Sequence, residues 1–308
     1  MIPYLLLFIV SLAVLVFASD WFIGAAEKIG LGFGISPFVI GVTIVAFGTS
    51  VPELATSIAG IYGGASDVVI GNVIGSNITN ILLVLGLTAV VGKGISLPFN
   101  VMQNDMPMLF ASAFILYFMI QDLEVTNYEA IVLLGMLIVF LINSVKSGTD
   151  EDQKREKVSL KTWGVLIVGG VLVFMGAKYT LSSMTEIAGM LGISTYVLAV
   201  TGVALGTSLP EVVVSIAAAR RGQHAIAVGN VLGSNIFNSY AVVGIPTLLK
   251  SIEIPAVTLD FGAPFMVAMT ILFGMVCISK KITRWEGMTL IIFYVFFLLQ
   301  YVSQELPG

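Results

Sequence analysis

Long apolar stretches, broken only by short polar segments, dominate this 308-residue chain. Hydrophobic residues make up 57% of it and charged residues only 10%, whereas a soluble domain carries about 25% charged residues. A stretch of about 20 apolar residues is long enough to cross a bilayer as a helix. Only helices and closed barrels span membranes, and the alternating pattern of a barrel strand is absent. The sequence therefore predicts an all-α integral membrane protein.

Ten transmembrane helices are predicted when the sequence is cut at its charged and Gly/Pro-rich breaks. Residues 1–26 are expected to be the first span rather than a signal peptide, because they lack a basic start and a small-residue cleavage site. The predicted spans are 3–26, 37–62, 66–91, 105–121, 126–145, 159–184, 194–219, 223–249, 258–279 and 284–303.

The basic residues predict the orientation, because cytoplasmic loops carry an excess of Lys and Arg. With both termini extracellular, twelve of the fourteen basic residues fall in cytoplasmic loops, and only Lys178 and Lys250 fall on the other side. We therefore expect extracellular termini and a cytoplasmic central linker. The twelve are Lys28, Lys93, Lys146, Lys154, Arg155, Lys157, Lys161, Arg220, Arg221, Lys280, Lys281 and Arg284.

An internal duplication divides the chain. Residues 35–86 align with 193–244 without a gap, and the matches are Gly, Ser, Thr, Pro, Asn and Glu rather than common apolar residues. The predicted halves are 1–145 and 159–308, joined by a linker at 146–158. Each half has five predicted spans, and an odd number makes the second half enter the membrane from the opposite side. The sequence thus predicts two inverted-topology repeats of five helices, whose ion sites lie where the halves meet.

Glu53 and Glu211 occupy equivalent positions within apolar spans. A charge at the bilayer centre costs from about 3 to over 10 kcal/mol, and intramembrane carboxylates are functional by default. Each glutamate follows a proline, which removes a backbone donor and disfavours a continuous helix. We therefore predict broken helices near 46–51 and 204–209, with free carbonyl groups that suit sodium. A purely structural hydrogen-bond network is the alternative role for these carboxylates.

Hydroxyl and amide side chains recur around the glutamates at helical spacing. Such an all-oxygen set, without sulfur or imidazole, favours hard cations such as calcium. Two carboxylates supply the charge that one calcium ion neutralises. Without an ion, two buried negative charges would be energetically unfavourable. The protein should therefore not switch the membrane face to which the site is open unless other cations replace calcium. The polar sets are Thr49, Ser50, Glu53 and Ser57, with Thr207, Ser208, Glu211 and Ser215; and Asn72, Ser76 and Asn80, with Asn230, Ser234 and Asn238.

Several other residues have a structural role as the alternative to a functional one. Interhelical hydrogen bonding is the alternative role for the asparagines at 72, 77, 80, 230, 235 and 238. The small-xxx-small glycine pairs at 71/75 and 229/233 predict close packing of span 2 with span 3, and of span 7 with span 8. Asp20 and Lys178 are expected near span ends as snorkelling or capping residues. The single Cys277 excludes a disulfide framework, and His224, expected in a short loop, has no assigned role.

The two copies of G-T-S-x-P-E, each followed by G-N-V-x-G-S-N-x-x-N, resemble the alpha repeats of the sodium/calcium exchanger family, within the calcium/cation antiporter superfamily. The resemblance covers the whole chain and is greatest to the compact prokaryotic members. It implies about three sodium ions exchanged for one calcium ion by alternating access, with the first and sixth spans sliding against the rest. The linker is too short to hold the regulatory calcium-binding domains of animal relatives.

The resemblance also implies a ligand set. Calcium is expected on Glu53 and Glu211 with the backbone of Thr49 and Thr207. Sodium is expected on the same glutamates together with four serine side chains and two backbone carbonyls. Calcium and sodium are then substrates; we expect no cofactor and no nucleic-acid partner, and a protein that works as a monomer in the cell membrane. The additional sodium ligands are Ser50, Ser76, Ser208, Ser234 and the carbonyls of Ala46 and Ala204.

Asn80 and Asn238 distinguish this chain within the resemblance. Potassium-dependent exchangers, and several prokaryotic members, carry Asp where this chain has Asn238. The hypothesis is therefore a site with two carboxylates, not three, which does not require potassium.

Other functions are weighed against sodium/calcium exchange. Proton/calcium antiport is the runner-up, because buried glutamates can exchange protons, and magnesium is a further possible substrate. An intramembrane enzyme is disfavoured, since no H-E-x-x-H motif, paired aspartates or membrane-embedded histidine is present. A channel is disfavoured because a symmetric pore with a repeated filter loop is not indicated.

Overall fold

The computed structural model describes residues 1–62, 67–97, 101, 105–148, 158–190, 206–256 and 258–305. Helices dominate, as the sequence predicts. In chain order they are α1 (Ile2–Gly32), α2 (Pro37–Thr49), α3 (Val51–Tyr62), α4 (67–91), α5 (Met106–Met119), α6 (Asn127–Gly148), α7 (Leu160–Met190), α8 (Leu209–Arg220), α9 (His224–Thr247), α10 (Thr258–Cys277) and α11 (Arg284–Glu305).

Six helices of the described chain are long and apolar enough to cross a membrane, and the bent pair α2–α3 makes a seventh candidate. The multi-span membrane class is therefore supported. The apolar segment Met106–Asp122, which includes α5, is shorter, and part of the predicted span 194–219 lies outside the described residues. The count of ten stays a prediction.

The helix α1 continues beyond the predicted end of the first span at residue 26. It ends where Gly34 takes a positive φ of 74° and the Ile35 amide donates to the Gly30 carbonyl at 2.8 Å. Asp20 therefore lies well inside α1, and Lys178 likewise lies inside α7. That both lie near the ends of the membrane spans stays a prediction, because each of these helices has 31 residues and is longer than the roughly 20 residues that cross a bilayer. His224 was expected in a loop but is the first residue of α9.

Two short antiparallel strand pairs join the halves, a feature that sequence patterning did not predict. The strand β1 (Ile95–Ser96) pairs with β4 (Lys281–Ile282), and β2 (Glu124–Val125) pairs with β3 (Ile252–Glu253). Shifting the numbers of β1 and β2 by 157 gives those of β3 and β4. Each pair therefore contains one strand from each half, and the two pairs occupy equivalent places.

The helices α4 and α9 form the centre of the molecule. The most apolar 18-residue segments of α4 and α9 are 78% and 100% buried, whereas those of α1, α6 and α7 are only 22% buried. Each central helix contains a π-helical segment, Asn80–Val84 in α4 and Asn238–Val242 in α9. These segments are equivalent in the duplication, and π-helical segments are frequent at functional sites.

The glycines of α9 make a different contact from the predicted one. A Cβ atom added at Gly229 would lie 2.6 Å from the Phe38 carbonyl oxygen, and one at Gly233 would lie 2.3 Å from that of Val42. These glycines therefore allow α9 to approach α2 of the other half, while α9 also packs against α8, in the described part of span 7. The reason is the break in span 2, since α2 lies against α9 while α3 lies against α4.

Candidate functional site

Two equivalent backbone breaks position the candidate carboxylates. Ser50, between α2 and α3, has φ and ψ of −83° and 2°, and Ser208, before α8, has −86° and 5°. A proline follows in the first turn of the next helix, and Glu53 or Glu211 comes directly after it. The predicted break near 46–51 is confirmed by the 40° bend between α2 and α3. Carboxylates in a first turn also interact favourably with the helix dipole.

Both glutamate side chains are completely buried. None of their four carboxylate oxygens has a hydrogen-bond partner within the described parts of the chain. The two carboxylates also lie near enough to repel each other. Burying an unpaired carboxylate is very costly, so this arrangement suits a site that binds positive charge.

Threonine side chains beside each carboxylate cross to the other half. The Thr49 hydroxyl donates to Asn230 Oδ1 at 3.1 Å and lies 3.3 Å from Ser234 Oγ. The Thr207 hydroxyl donates to Asn72 Oδ1 at 3.3 Å and lies 3.3 Å from Ser76 Oγ. The same three residue types thus meet twice, each time with the threonine from one half and its partners from the other.

Two further hydrogen bonds repeat this equivalence within each half. Asn72 Nδ2 donates to Ser57 Oγ at 3.3 Å, and Asn230 Nδ2 donates to Ser215 Oγ at 2.9 Å. Asn72 Nδ2 also donates to the Glu53 carbonyl oxygen at 3.2 Å. Asn72 and Asn230, for which packing and function were both open, therefore connect the carboxylate helices to the threonines of the opposite half.

The remaining predicted ligands differ in their partners. Asn80 Nδ2 donates to Asn235 Oδ1 at 3.2 Å, whereas both polar atoms of Asn238 have no partner in the described structure. The Ser50 and Ser208 hydroxyls are also buried and unpartnered among those residues. The Ala46 carbonyl accepts a hydrogen bond from Thr49 Oγ1 at 3.2 Å. Ala204 lies outside the described residues.

Sequence reasoning missed two polar residues next to Asn238. Ser239 Oγ accepts a hydrogen bond from Asn77 Nδ2 at 3.1 Å, and the fully buried Tyr240 hydroxyl has no partner among the described groups. The duplication offered a signal, because the equivalent positions in the first half are the apolar Ile81 and Leu82. These two residues make the surroundings of Asn238 different from those of Asn80.

The chemistry of the site is that of oxygen ligands. In the described chain, no three His, Cys, Asp or Glu side chains come together as a metal-binding group. The site instead offers two carboxylates with hydroxyl, amide and carbonyl oxygens around them. Such a set suits hard cations, and transition metals generally prefer sulfur or imidazole ligands.

Known proteins share this arrangement of sequence and fold. The family model described as "Sodium/calcium exchanger protein" matches residues 3–146 and 161–302. The chain belongs to the sodium/calcium exchanger family. Among curated members, the sodium/calcium exchanger MaX1 of Methanosarcina acetivorans is 34% identical to it, over 96% of this chain and 97% of that protein. The inner membrane protein YrbG of Escherichia coli is 33% identical, over 88% of this chain and 87% of its own length.

Solved structures of an exchanger have the same fold. The sodium-calcium exchanger NCX_Mj, soaked with zero Na⁺ and Ca²⁺, superposes with a TM-score of 0.85 and 34% identity, over 97% of this chain and 99% of that one. The same protein soaked with 100 mM Na⁺ and 10 mM Sr²⁺ also gives a TM-score of 0.85. The predicted resemblance to a compact prokaryotic exchanger is therefore confirmed, and family membership makes this chain a membrane transport protein.

Proposed function

We propose that this exchanger-family protein is a secondary active antiporter that moves calcium in one direction and sodium in the other. The observation that carries the proposal is the pair of buried carboxylates that lie near enough to repel each other and whose oxygens have no hydrogen-bond partner among the described residues. One calcium ion balances their charge, and sodium ions can replace it on the same oxygens. The site is then exposed alternately to each membrane face. The ion-free protein does not switch between the two conformations, because two buried charges without a cation are too unfavourable.

The ligands we propose are the twelve groups expected from the sequence. Glu53 and Glu211 bind both ions, with Thr49 and Thr207 contributing to the calcium site. The proposal is supported by the proximity of Thr207 to the Glu53 carboxylate, and of Thr49, Ser50 and Ser234 to that of Glu211. The other proposed ligands are Ser76, Ser208, Asn80, Asn238 and the carbonyls of Ala46 and Ala204.

The architecture we propose is ten spans in two inverted five-helix halves, 1–145 and 159–308, joined by a cytoplasmic linker at 146–158. The equivalent strand pairs and the reciprocal Thr49 and Thr207 contacts support this symmetry. The basic residues support extracellular termini. The protein would act as a monomer in the cell membrane.

Two finer features complete the proposal. We expect about three sodium ions per calcium ion, so that the sodium gradient drives uphill calcium transport. We also expect no potassium requirement, because Asn80 and Asn238 leave the site with two carboxylates.

Calcium-45 uptake into proteoliposomes loaded with sodium tests the function. Uptake should depend on the outward sodium gradient and persist when an ionophore collapses any pH gradient. Uptake driven by a pH gradient in the absence of sodium would instead establish proton/calcium antiport. Empty liposomes and a Glu53→Gln/Glu211→Gln double variant are the controls.

A further inference from the structure

The turn between α8 and α9 holds the peripheral helix α1 through two polar contacts. Arg221 Nη1 donates to the Asp20 carbonyl oxygen at 2.7 Å and lies 3.9 Å from Asp20 Oδ1. Two residues further along the turn, Gln223 Nε2 donates to Glu27 Oε2. Asp20 and Glu27 are seven residues apart and therefore lie on one face of α1. The turn thus contacts α1 at two points along one side.

Both partners have a local geometry that suits this contact. A Cβ atom at Gly24 would lie 3.2 Å from both terminal nitrogens of Arg221, so the guanidinium lies against α1 where no side chain intervenes. The turn reverses at Gly222, whose φ is 74°, and the Gln223 amide donates to the Ala218 carbonyl at 2.9 Å. This turn directs both polar side chains towards α1.

The contact connects α1 to the helix that carries a proposed ion ligand. Glu211 lies in the first turn of α8, and Arg221 follows directly after its last residue. At about 1.5 Å per residue, α8 is a short rigid element between the two. A change in the position of α1 relative to Arg221 is therefore a change relative to the Glu211 carboxylate.

The helix α1 belongs to a pair that lies at the edge of the molecule. It packs along α7, where a Cβ at Gly176 would lie 2.9 Å from Leu15 Cβ and one at Gly169 would lie 3.1 Å from the Phe22 amide nitrogen. Leu15 and Phe22 belong to a smaller hydrophobic cluster that also includes residues of α8 and α9. Only 22% of the most apolar segment is buried in α1 and in α7, against 78% in α4 and 100% in α9. A movement of the pair therefore disrupts fewer buried contacts than a movement of the central helices.

The duplication provides no counterpart for this contact. The positions equivalent to Arg221 and Gln223 are Gly63 and Ala65, and those equivalent to Asp20 and Glu27 are Lys178 and Thr185. Glycine and alanine have no polar side chain, so they cannot supply the ion pair or the side-chain hydrogen bond. The same pair of side-chain contacts is therefore possible at only one of the two places that the duplication makes equivalent.

We propose that Arg221 and Gln223 are positioning residues that hold α1 in one of the two conformations of the transport cycle. The inference rests on the proposed alternating-access function. Because the contact has no counterpart, it favours exposure of the ion site to one membrane face over the other. Removing it shifts the equilibrium between the two conformations without changing any ion ligand.

The test compares Arg221→Ala with Arg220→Ala, the neighbouring exposed arginine for which the described structure shows no ion pair. Apparent calcium affinity is measured from each face, in proteoliposomes of defined orientation. Apparent affinity scales with the fraction of protein in the binding-competent conformation. Arg221→Ala should therefore strengthen affinity on one face and weaken it on the other, by about threefold to tenfold for a partly exposed contact.

Controls separate this effect from a general structural defect. Gln223→Ala should shift both affinities in the same senses as Arg221→Ala, by a smaller factor, and Arg221→Lys should restore most of the wild-type values. Unchanged affinities in an active Arg221→Ala variant, or equal weakening on both faces, would overturn the positioning role alone. Absence of sodium-dependent uptake in the wild type would overturn the proposed function itself. If Arg221→Ala does not fold, the Gln223→Ala comparison decides.

Discussion

The threonine contacts at the centre of the molecule occur in two equivalent copies, whereas the two strand pairs outside it carry different side chains. Thr49 and Thr207 contact equivalent Asn and Ser side chains. In the equivalent strand pairs, however, Ser96 faces Lys281 on one side and Glu124 faces Glu253 on the other. The proposed site would bind the same ions from both membrane faces and so needs equivalent ligands, whereas in the proposed topology the strand pairs lie on opposite sides of the membrane and meet different surroundings. The proposed function therefore places different constraints on the candidate site and on the strand pairs.

The largest effect is expected from the carboxylates. Glu53→Gln and Glu211→Gln should each reduce exchange by more than about 100-fold, because removing one buried charge upsets the balance with the bound cations. Calcium-45 uptake measures this, with exposed Glu124→Gln as the matched control. Normal transport by either variant would contradict the proposed site, and a difference between them would show that the halves are not equivalent.

The contact between α9 and α2 is predicted to be the next most sensitive feature. Gly229→Ala introduces a Cβ 2.6 Å from the Phe38 carbonyl, and overpacking of this kind costs about 1–3 kcal/mol. Gly135→Ala in α6 is the control, because a Cβ there meets nothing within 4 Å. Thermal unfolding in detergent should show a lower melting temperature for Gly229→Ala only. Equal melting temperatures would argue against the close approach of the halves.

The reciprocal threonine contacts allow the equivalence of the halves to be measured. Thr49→Val and Thr207→Val each remove a cross-half hydrogen bond, worth about 0.5–1.5 kcal/mol. Both variants should weaken apparent calcium affinity by a similar factor, about tenfold at most. Serine at the same positions retains the hydroxyl and should preserve most of the affinity. A loss confined to one threonine would place the ions closer to one half.

The smallest expected effect concerns potassium. Replacing potassium with choline should leave sodium-driven calcium uptake unchanged, since the proposed site contains two carboxylates rather than three. Asn238→Asp adds a third carboxylate at an amide whose polar atoms are unpartnered in the described structure, and should change the cation requirement or lower the rate. A requirement of the wild-type protein for added potassium would contradict the two-carboxylate hypothesis.

Several parts of the structure were predictable from the sequence because they depend on local chemistry. The apolar stretches indicated membrane helices, and the proline before Glu53 indicated the break at Ser50. The failures involve interactions between distant segments. The α9 glycines lie against α2 of the other half, and Asp20 contacts Arg221, a residue 201 positions away. Neither pairing is encoded in local spacing.

The sequence by itself determined the membrane class, the duplication and the identity of the candidate ligands, because composition, repeat matches and residue chemistry are properties of the linear chain. Only the tertiary structure decided which half supplies each partner. Helix packing places Thr49 against Asn230 and Thr207 against Asn72. It leaves both carboxylates without hydrogen bonds among the described residues. It also places α1 in contact with the α8–α9 turn. The physical reason is that helix packing brings together residues more than a hundred positions apart. A hydrogen bond between such residues depends on that packing.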